Sequence, residues 1–82
     1  MVVVHRKRRL DTEMDLRALF DPGIQFIGRD VSFVVSKAGP STSFGSMDHG
    51  QEVGQWKAGR LLAEVWFESG ICIAVEVRPS AK

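Results

Sequence analysis

The sequence has very little cysteine and no long apolar run, and both absences restrict the kinds of protein it can be. Only Cys72 carries a thiol, so no disulfide can form within the chain and nothing covalent stabilises its core. No apolar stretch is long enough to cross a bilayer as a helix, and residues 1–9, with valines before cations, have the wrong order for a signal peptide. We therefore expect a cytoplasmic protein with no membrane association.

Motifs for catalysis and cofactor binding are also missing. His49 follows Asp48, but no second histidine, cysteine or carboxylate stands at the spacing of a metal site. Residues 54–59 hold two glycines around a lysine and lack the Gly-Lys-Ser/Thr of a phosphate loop. The sequence therefore predicts no cofactor and no enzyme. A small-ligand or catalytic role for His49, with Asp48 or Glu52, is the least favoured hypothesis.

Charge divides the chain into two parts. The 82 residues, 44% hydrophobic and 26% charged, suffice for one small domain, which we place at 10–82. That domain carries a net charge of −3, whereas residues 1–9 carry +4. Because so small a core gains little stability by itself, self-association is a common source of more.

The basic arm at residues 1–9 allows two interpretations. In the functional one, Arg6, Lys7, Arg8 and Arg9 bind the phosphates of a nucleic acid. In the other, the arm is a solvated terminus, or rests on the acidic body of its own or a neighbouring subunit. No aromatic residue interrupts the basic run, so it offers no base-stacking platform.

The segment 60–79 predicts a β-hairpin around which the fold is organised. A three-residue connection, Glu68-Ser69-Gly70, would place the glycine where a left-handed backbone is needed. It pairs Phe67 with Ile71 and therefore Val65 with Ile73. The predicted core face contains Leu61, Ala63, Val65, Phe67, Ile71, Ile73, Val75 and Val77.

The reverse face of this hairpin is half apolar. Its predicted members are Arg60, Leu62, Glu64, Trp66, Cys72, Ala74, Glu76 and Arg78. A patch around Trp66 and Leu62 indicates cover by a helix, a loop or a second subunit. The two arginines are expected to neutralise the two glutamates. Cys72, in mid-strand, is expected to be an inert small hydrophobe.

The remaining elements are predicted from capping and breaker residues. A helix is expected over 10–21, because Thr12 and Asp15 approximate a capping box. Its apolar face contains Leu16, Leu19 and Phe20. Residues 24–27 and 30–37 are predicted as a hairpin, or as one strand kinked at Gly28. The shared face of these strands contains Val31, Phe33 and Val35.

The stretch 39–59 is rich in glycine and serine and is predicted to be a loop, with a short strand near 53–56 as a variant. Its large apolar residues could cover the sheet edge or anchor a partner. They are Phe44, Met47, Val53 and Trp56.

Together these features predict an α+β fold, in which a short N-terminal helix packs on a small antiparallel sheet of three to five strands ending in a C-terminal hairpin. The favoured function is a non-enzymatic interaction module. It would self-associate, with a dimer favoured, and bind a protein partner through the half-apolar face or the 39–59 loop. The predicted contact residues are Trp66, Leu62, Phe44, Met47 and Trp56. The alternative is a nucleic-acid-binding accessory or regulatory protein that uses residues 6–9.

Overall fold

Two helices and four strands make up the structure, a computed structural model that describes residues 12–80. The elements are α1 (Glu13–Phe20), α2 (Val31–Ala38), β1 (Ser43–Ser46), β2 (Gln51–Ala58), β3 (Leu61–Glu68) and β4 (Ile71–Pro79). Short 3-10 helices, Gly23–Phe26 and Asp48–Gly50, precede α2 and β2. The strands form one antiparallel sheet in the order β1-β2-β3-β4, and both helices pack on one side of it. The predicted α+β class and C-terminal hairpin are confirmed.

Helix α1 begins where the capping residues indicate. The Thr12 side chain accepts a hydrogen bond from the backbone N–H of Asp15 at 3.1 Å, which satisfies one of the unpaired donors of the first turn. Leu16 and Phe20 are buried against the sheet. The predicted helix is thus confirmed within the described residues, where it spans Glu13–Phe20.

The strands predicted for 24–27 and 30–37 do not form, and that prediction is wrong: the 3-10 helix Gly23–Phe26 replaces the first and α2 replaces the second. Asp30 caps the helix, because its Oδ1 accepts from the backbone N–H of Phe33 at 3.0 Å. Gly39 ends it with a φ of 84°, a left-handed value that suits glycine. Burial follows the helical period, so the residues that enter the core are Val34 and Ala38.

The stretch 39–59 is also more ordered than predicted, because it contains β1 and β2. Strand β2 lies between β1 and β3 inside the sheet, so the interpretation of the whole stretch as a loop is wrong. Gly54 is essential to this packing. A Cβ at that position would lie 2.9 Å from the Trp56 ring and 3.1 Å from the Phe44 ring.

The C-terminal hairpin forms with a different register from the predicted one. Its connection is two residues, Ser69 and Gly70, with φ values of 55° and 82°, the pattern of a type I′ turn. A β-bulge opposite Trp66 and Phe67 adds one residue to β4. Val65 therefore pairs with Val75, and the predicted pairing with Ile73 is wrong.

The two-residue turn and the bulge together change which side chains of β4 are buried. Cys72, predicted on the reverse face, lies in the core and is 1% exposed. Ile71 and Ile73, predicted in the core, are 40% and 44% exposed. Val75 and Val77 keep their predicted side and pack against the core, because a shift of two residues preserves the face of a strand.

Aromatic rings fill the space between the helices and the sheet. The Phe20 ring centroid lies 5.2 Å from that of Phe26 and 5.5 Å from that of Trp56, within the range of favourable aromatic pairs. The indole N–H of Trp56 donates to the carbonyl oxygen of Gly39 at 3.0 Å. The buried apolar residues are Leu16, Phe20, Phe26, Val34, Ala38, Trp56, Ala58, Leu61, Ala63, Val65, Phe67 and Cys72.

Candidate interaction surface

The side of the sheet opposite the helices is the candidate site, and we call it the open face. The core packs against the other side, through residues such as Trp56, Ala63 and Val65. No helix among residues 12–80 covers the open face. Since antiparallel sheets are usually amphipathic, the side chains on this face decide whether it needs a partner.

An apolar band crosses the open face. Val53, Trp66 and Ala74 are direct cross-strand neighbours on β2, β3 and β4. Ile71 lies in the next row, paired with Glu68. The apolar band contains Val53, Trp66, Ile71, Ile73 and Ala74, whereas Leu62 lies beyond Glu64, between Lys57 and Arg78.

Sequence reasoning found only some of the apolar residues on the open face. Trp66 and Leu62 were identified from the alternation along β3. Ile71 and Ile73 were assigned to the core, because the predicted turn was one residue too long and no bulge was foreseen. A bulge of this kind commonly re-aims side chains at functional positions.

Next to the apolar band, a chain of hydrogen bonds crosses the open face. Arg78 Nη1 lies 2.5 Å from Glu64 Oε1 and 3.4 Å from Glu76 Oε1. Gln55 donates to Glu64 Oε2 at 2.7 Å and accepts from the Ser43 hydroxyl at 3.0 Å. Of the two arginines predicted to neutralise these glutamates, Arg78 contacts both, so the prediction is confirmed for Arg78; within residues 12–80, no ion pair joins Arg60 to either glutamate. Every polar group of Glu64 that is buried has a partner.

The contact between Arg78 and Glu64 also shifts the pKa values of both side chains. The hydrogen bond from Arg78 lowers the pKa of Glu64, against the opposing effect of burial. The same contact raises the pKa of Arg78. Both side chains therefore carry full charge at neutral pH and form a neutral pair on the open face.

The remaining predicted contact residues lie elsewhere. Phe44 is on the helix side of the sheet, with its ring centroid 5.9 Å from that of Phe67, and is 43% exposed. Met47 lies in the connection after β1 and is 47% exposed. Trp56 is 2% exposed and belongs to the core. The structure thus places Leu62 and Trp66 on the same face, with Glu64 between them, and places the others elsewhere.

The residues considered for chemistry, His49 and Cys72, lie in different parts of the structure. His49 is exposed, with a φ of 64°, in the connection between β1 and β2. No group of three metal-binding side chains gathers among residues 12–80. Burial raises the pKa of the Cys72 thiol, which disfavours the reactive thiolate. The basic residues 6–9 lie outside the described part of the chain.

None of the helices between residues 12 and 80 has the length and apolar character needed to span a membrane. Comparison of the chain with protein-family models, curated proteins and solved structures gives no match.

Proposed function

We propose that this protein is a non-enzymatic interaction module whose open face binds a second copy of the chain. The observation that carries the proposal is the two-residue turn with the β4 bulge after it, which leave Ile71 and Ile73 exposed beside Trp66. Apolar side chains that are contiguous on an uncovered surface are typical of protein interfaces. Removing them from water is the main driving force of association.

The charges on the open face favour a second copy as the occupant. Lys57 and Arg78 flank Leu62 at one end of the face, and Glu68 lies at the other end. The two ends are about 20 Å apart along β3. A two-fold axis perpendicular to the strands would place the cationic end of one copy over Glu68 of the other. Such a contact is isologous, as in most dimers.

The hydrogen-bonded polar side chains of the open face, which are Ser43, Gln55, Glu64, Glu76 and Arg78, are compatible with burial in such a dimer. An unpaired carboxylate under a second sheet would be strongly destabilising. Glu64, however, already contacts Arg78 and Gln55. Two stacked sheets lie about 10 Å apart, so Trp66 of each copy can reach the apolar band of the other. Stacking therefore buries the band without leaving an ionised group alone.

Sedimentation equilibrium over a micromolar concentration range tests this proposal. The wild-type protein is expected to be a dimer. Ile73→Lys should shift it to monomer, because a lysine then enters the apolar band without disturbing the core. The matched control is Met14→Lys, since Met14 is 75% exposed on α1, on the helix side of the sheet. This variant should remain a dimer. A wild-type monomer at all concentrations, or an Ile73→Lys dimer of unchanged strength, would contradict the proposal.

Nucleic-acid binding by residues 6–9 is the second candidate, supported by the +4 charge of the arm. Contact with four phosphates predicts that log K falls with log salt concentration at a slope of about −3.6 on duplex DNA. Deleting residues 1–9 should abolish this binding. Binding that is independent of salt, or that survives the deletion, would exclude this function.

A further inference from the structure

Strand β4 forms one edge of the sheet. Backbone hydrogen bonds occupy its outer side only near its first residues, at Cys72. The backbone N–H of Cys72 donates to the carbonyl of Arg29 at 2.8 Å, and its carbonyl accepts from Gly28 at 2.9 Å. The backbone of Cys72 therefore points away from β3. Beyond the bulge, the same outer side follows β4 to Pro79. The opposite edge strand, β1, has only four residues.

Alternation along β4 identifies the backbone groups that face outward. Ser80 donates its N–H to the carbonyl of Arg60 at 2.7 Å, so its backbone points toward β3. Because these directions alternate along an antiparallel strand, the backbones of Val75, Val77 and Pro79 point outward. Within residues 12–80, no hydrogen bond reaches the outer N–H or C=O of either valine. Proteins usually protect an edge of this length.

We infer that this edge pairs antiparallel with β4 of a second copy, about a two-fold axis at Val77. The two sheets would then join into one. In this register the Val77 residues are opposite each other and exchange reciprocal backbone hydrogen bonds. Each Val75 N–H meets the carbonyl of Pro79 of the second copy. Pro79 has no N–H, so the added ladder ends there.

The charges on β4 select this register over its neighbours. With the axis at Val77, Glu76 lies opposite Arg78 of the second copy, and the reciprocal pair forms as well. With the axis at Glu76, two glutamates would be directly opposite, which is destabilising. With the axis at Val75, Glu76 would face Ala74 and gain no ion pair. β4 is therefore self-complementary in one register.

This inference deepens the proposed function and rests on its claim that the chain self-associates. It uses a different surface, however, because edge pairing does not involve Trp66 or the rest of the apolar band. Edge pairing would extend the open face across two copies. The two interfaces are thus geometrically compatible, and each can fail without the other.

A proline substitution tests the edge selectively. Val77→Pro removes an outward N–H, and no hydrogen bond to β3 is lost. We expect self-association to weaken about tenfold or more. The matched control is Val77→Thr, which keeps the N–H and the β-branched shape and should associate like the wild type. Circular dichroism establishes that both variants fold.

Charge reversal provides a second test on a side chain that is exposed. Glu76→Arg would place an arginine opposite Arg78 of the second copy and should also weaken association about tenfold. Its control is Asp48→Arg, which changes the net charge equally at an exposed site in the β1–β2 connection. Association of Glu76→Arg equal to that of Asp48→Arg would contradict the predicted register.

Amide hydrogen exchange separates edge pairing from face stacking. If the inference is correct, protection of the Val75 and Val77 amides increases with protein concentration and is lost in Val77→Pro. Association that weakens in Val77→Pro but not in Ile73→Lys supports the edge and overturns face stacking. The reverse pattern, or amides with no concentration dependence, overturns the edge. A wild-type monomer overturns both.

Discussion

Arg78 bridges two glutamates that face each other across the C-terminal hairpin. Its Nη1 lies 2.5 Å from Glu64 Oε1 and 3.4 Å from Glu76 Oε1. The two glutamates are direct cross-strand neighbours, an arrangement that destabilises a sheet unless a cation lies between them. Because Glu64 is also nearly buried, we expect the arginine to contribute to stability as well as to the charge of the open face.

This contact predicts a stability that depends on pH in the acid range. The pKa of Glu64 is lowered from its ordinary value of 4.5, so the folded state favours the ionised form. The stabilisation is therefore complete above pH 4.5 and is lost as the pH falls through the lower folded-state pKa. We expect the free energy of unfolding to decrease on acidification, and Glu64→Gln to reduce that decrease.

Urea unfolding at neutral pH and at several values below 4.5 measures this effect. Arg78→Gln should reduce the acid sensitivity in the same way, because it removes the cause of the shift. It should also lower stability at neutral pH, since it leaves Glu64 nearly buried and without its cation. Equal acid sensitivity of Glu64→Gln and the wild type would show that the contact does not stabilise the fold.

The close approach of Gly23 to Val75 predicts a sensitive site in the 3-10 helix. A Cβ at position 23 would lie 2.4 Å from Val75 Cγ1, so alanine must displace a core residue of β4. Gly23→Ala should reduce the free energy of unfolding by about 1–3 kcal/mol. Gly45→Ala is the matched control, because nothing lies within 4 Å of its added Cβ. It should change stability by less than about 0.5 kcal/mol.

Denaturant unfolding of both glycine variants gives the comparison. If the loss in Gly23→Ala comes from the clash, then Val75→Ala in the same chain should recover part of it, so that the two changes are not additive. Losses that simply add, or equal stabilities of the two glycine variants, would argue against a close contact at this position.

The helices show where sequence patterns succeed and where they fail. Thr12, Leu16 and Phe20 combine a cap with a helical spacing, and α1 formed as predicted. In α2 the valines favour a strand by propensity, while Asp30 and Gly39 mark the ends of a helix. Tertiary packing decides such short ambiguous runs. The capping residues were the signal that could have identified α2.

The hairpin shows a different limit, because faces are easier to predict than registers. The prediction of which side of β3 is buried was correct from Leu61 to Phe67. On β4 the outcome depended on Ser69, which adopts a left-handed φ of 55°, uncommon for a residue other than glycine, asparagine or aspartate. Nothing in the composition of β4 indicates its bulge. Leu62 and Trp66 were therefore found as site residues, and Ile71 and Ile73 were missed.

The turn itself yields a test of this register. Asparagine accepts the left-handed conformation more easily than serine, and Asn-Gly is the preferred type I′ pair. Ser69→Asn should therefore raise the free energy of unfolding by up to about 1 kcal/mol. Gly70→Ala should lower it, because position 70 has a φ of 82°. An unchanged stability of Ser69→Asn in thermal unfolding would favour the three-residue connection instead.

Removing the side chain that caps α2 should reduce stability, a loss that would not be expected if residues 30–37 formed a strand. Asp30 accepts from the backbone N–H of Phe33, so Asp30→Ala should reduce the free energy of unfolding by about 0.5–2 kcal/mol. Asp30→Asn is the control, since its side-chain oxygen can accept the same hydrogen bond. Urea unfolding followed by circular dichroism measures both. Equal losses in the two variants would mean that the cap does not hold α2.

The position of Cys72 predicts a thiol that is protected in the folded protein. The side chain is 1% exposed, and its Sγ donates to the carbonyl of Ala74 at 3.7 Å. Burial raises its pKa, so little thiolate forms at neutral pH and attack by a thiol reagent should be slow. Reaction should become fast only when denaturant unfolds the chain.

Adding an exposed thiol gives this experiment an internal control. Ser32 is exposed on α2, so Ser32→Cys should react in two phases with an aromatic disulfide reagent, a fast one from the new thiol and a slow one from Cys72. A single fast phase would place Cys72 on the surface. That result would also contradict the two-residue turn, because a three-residue connection would place Cys72 on the open face and Ile73 in the core.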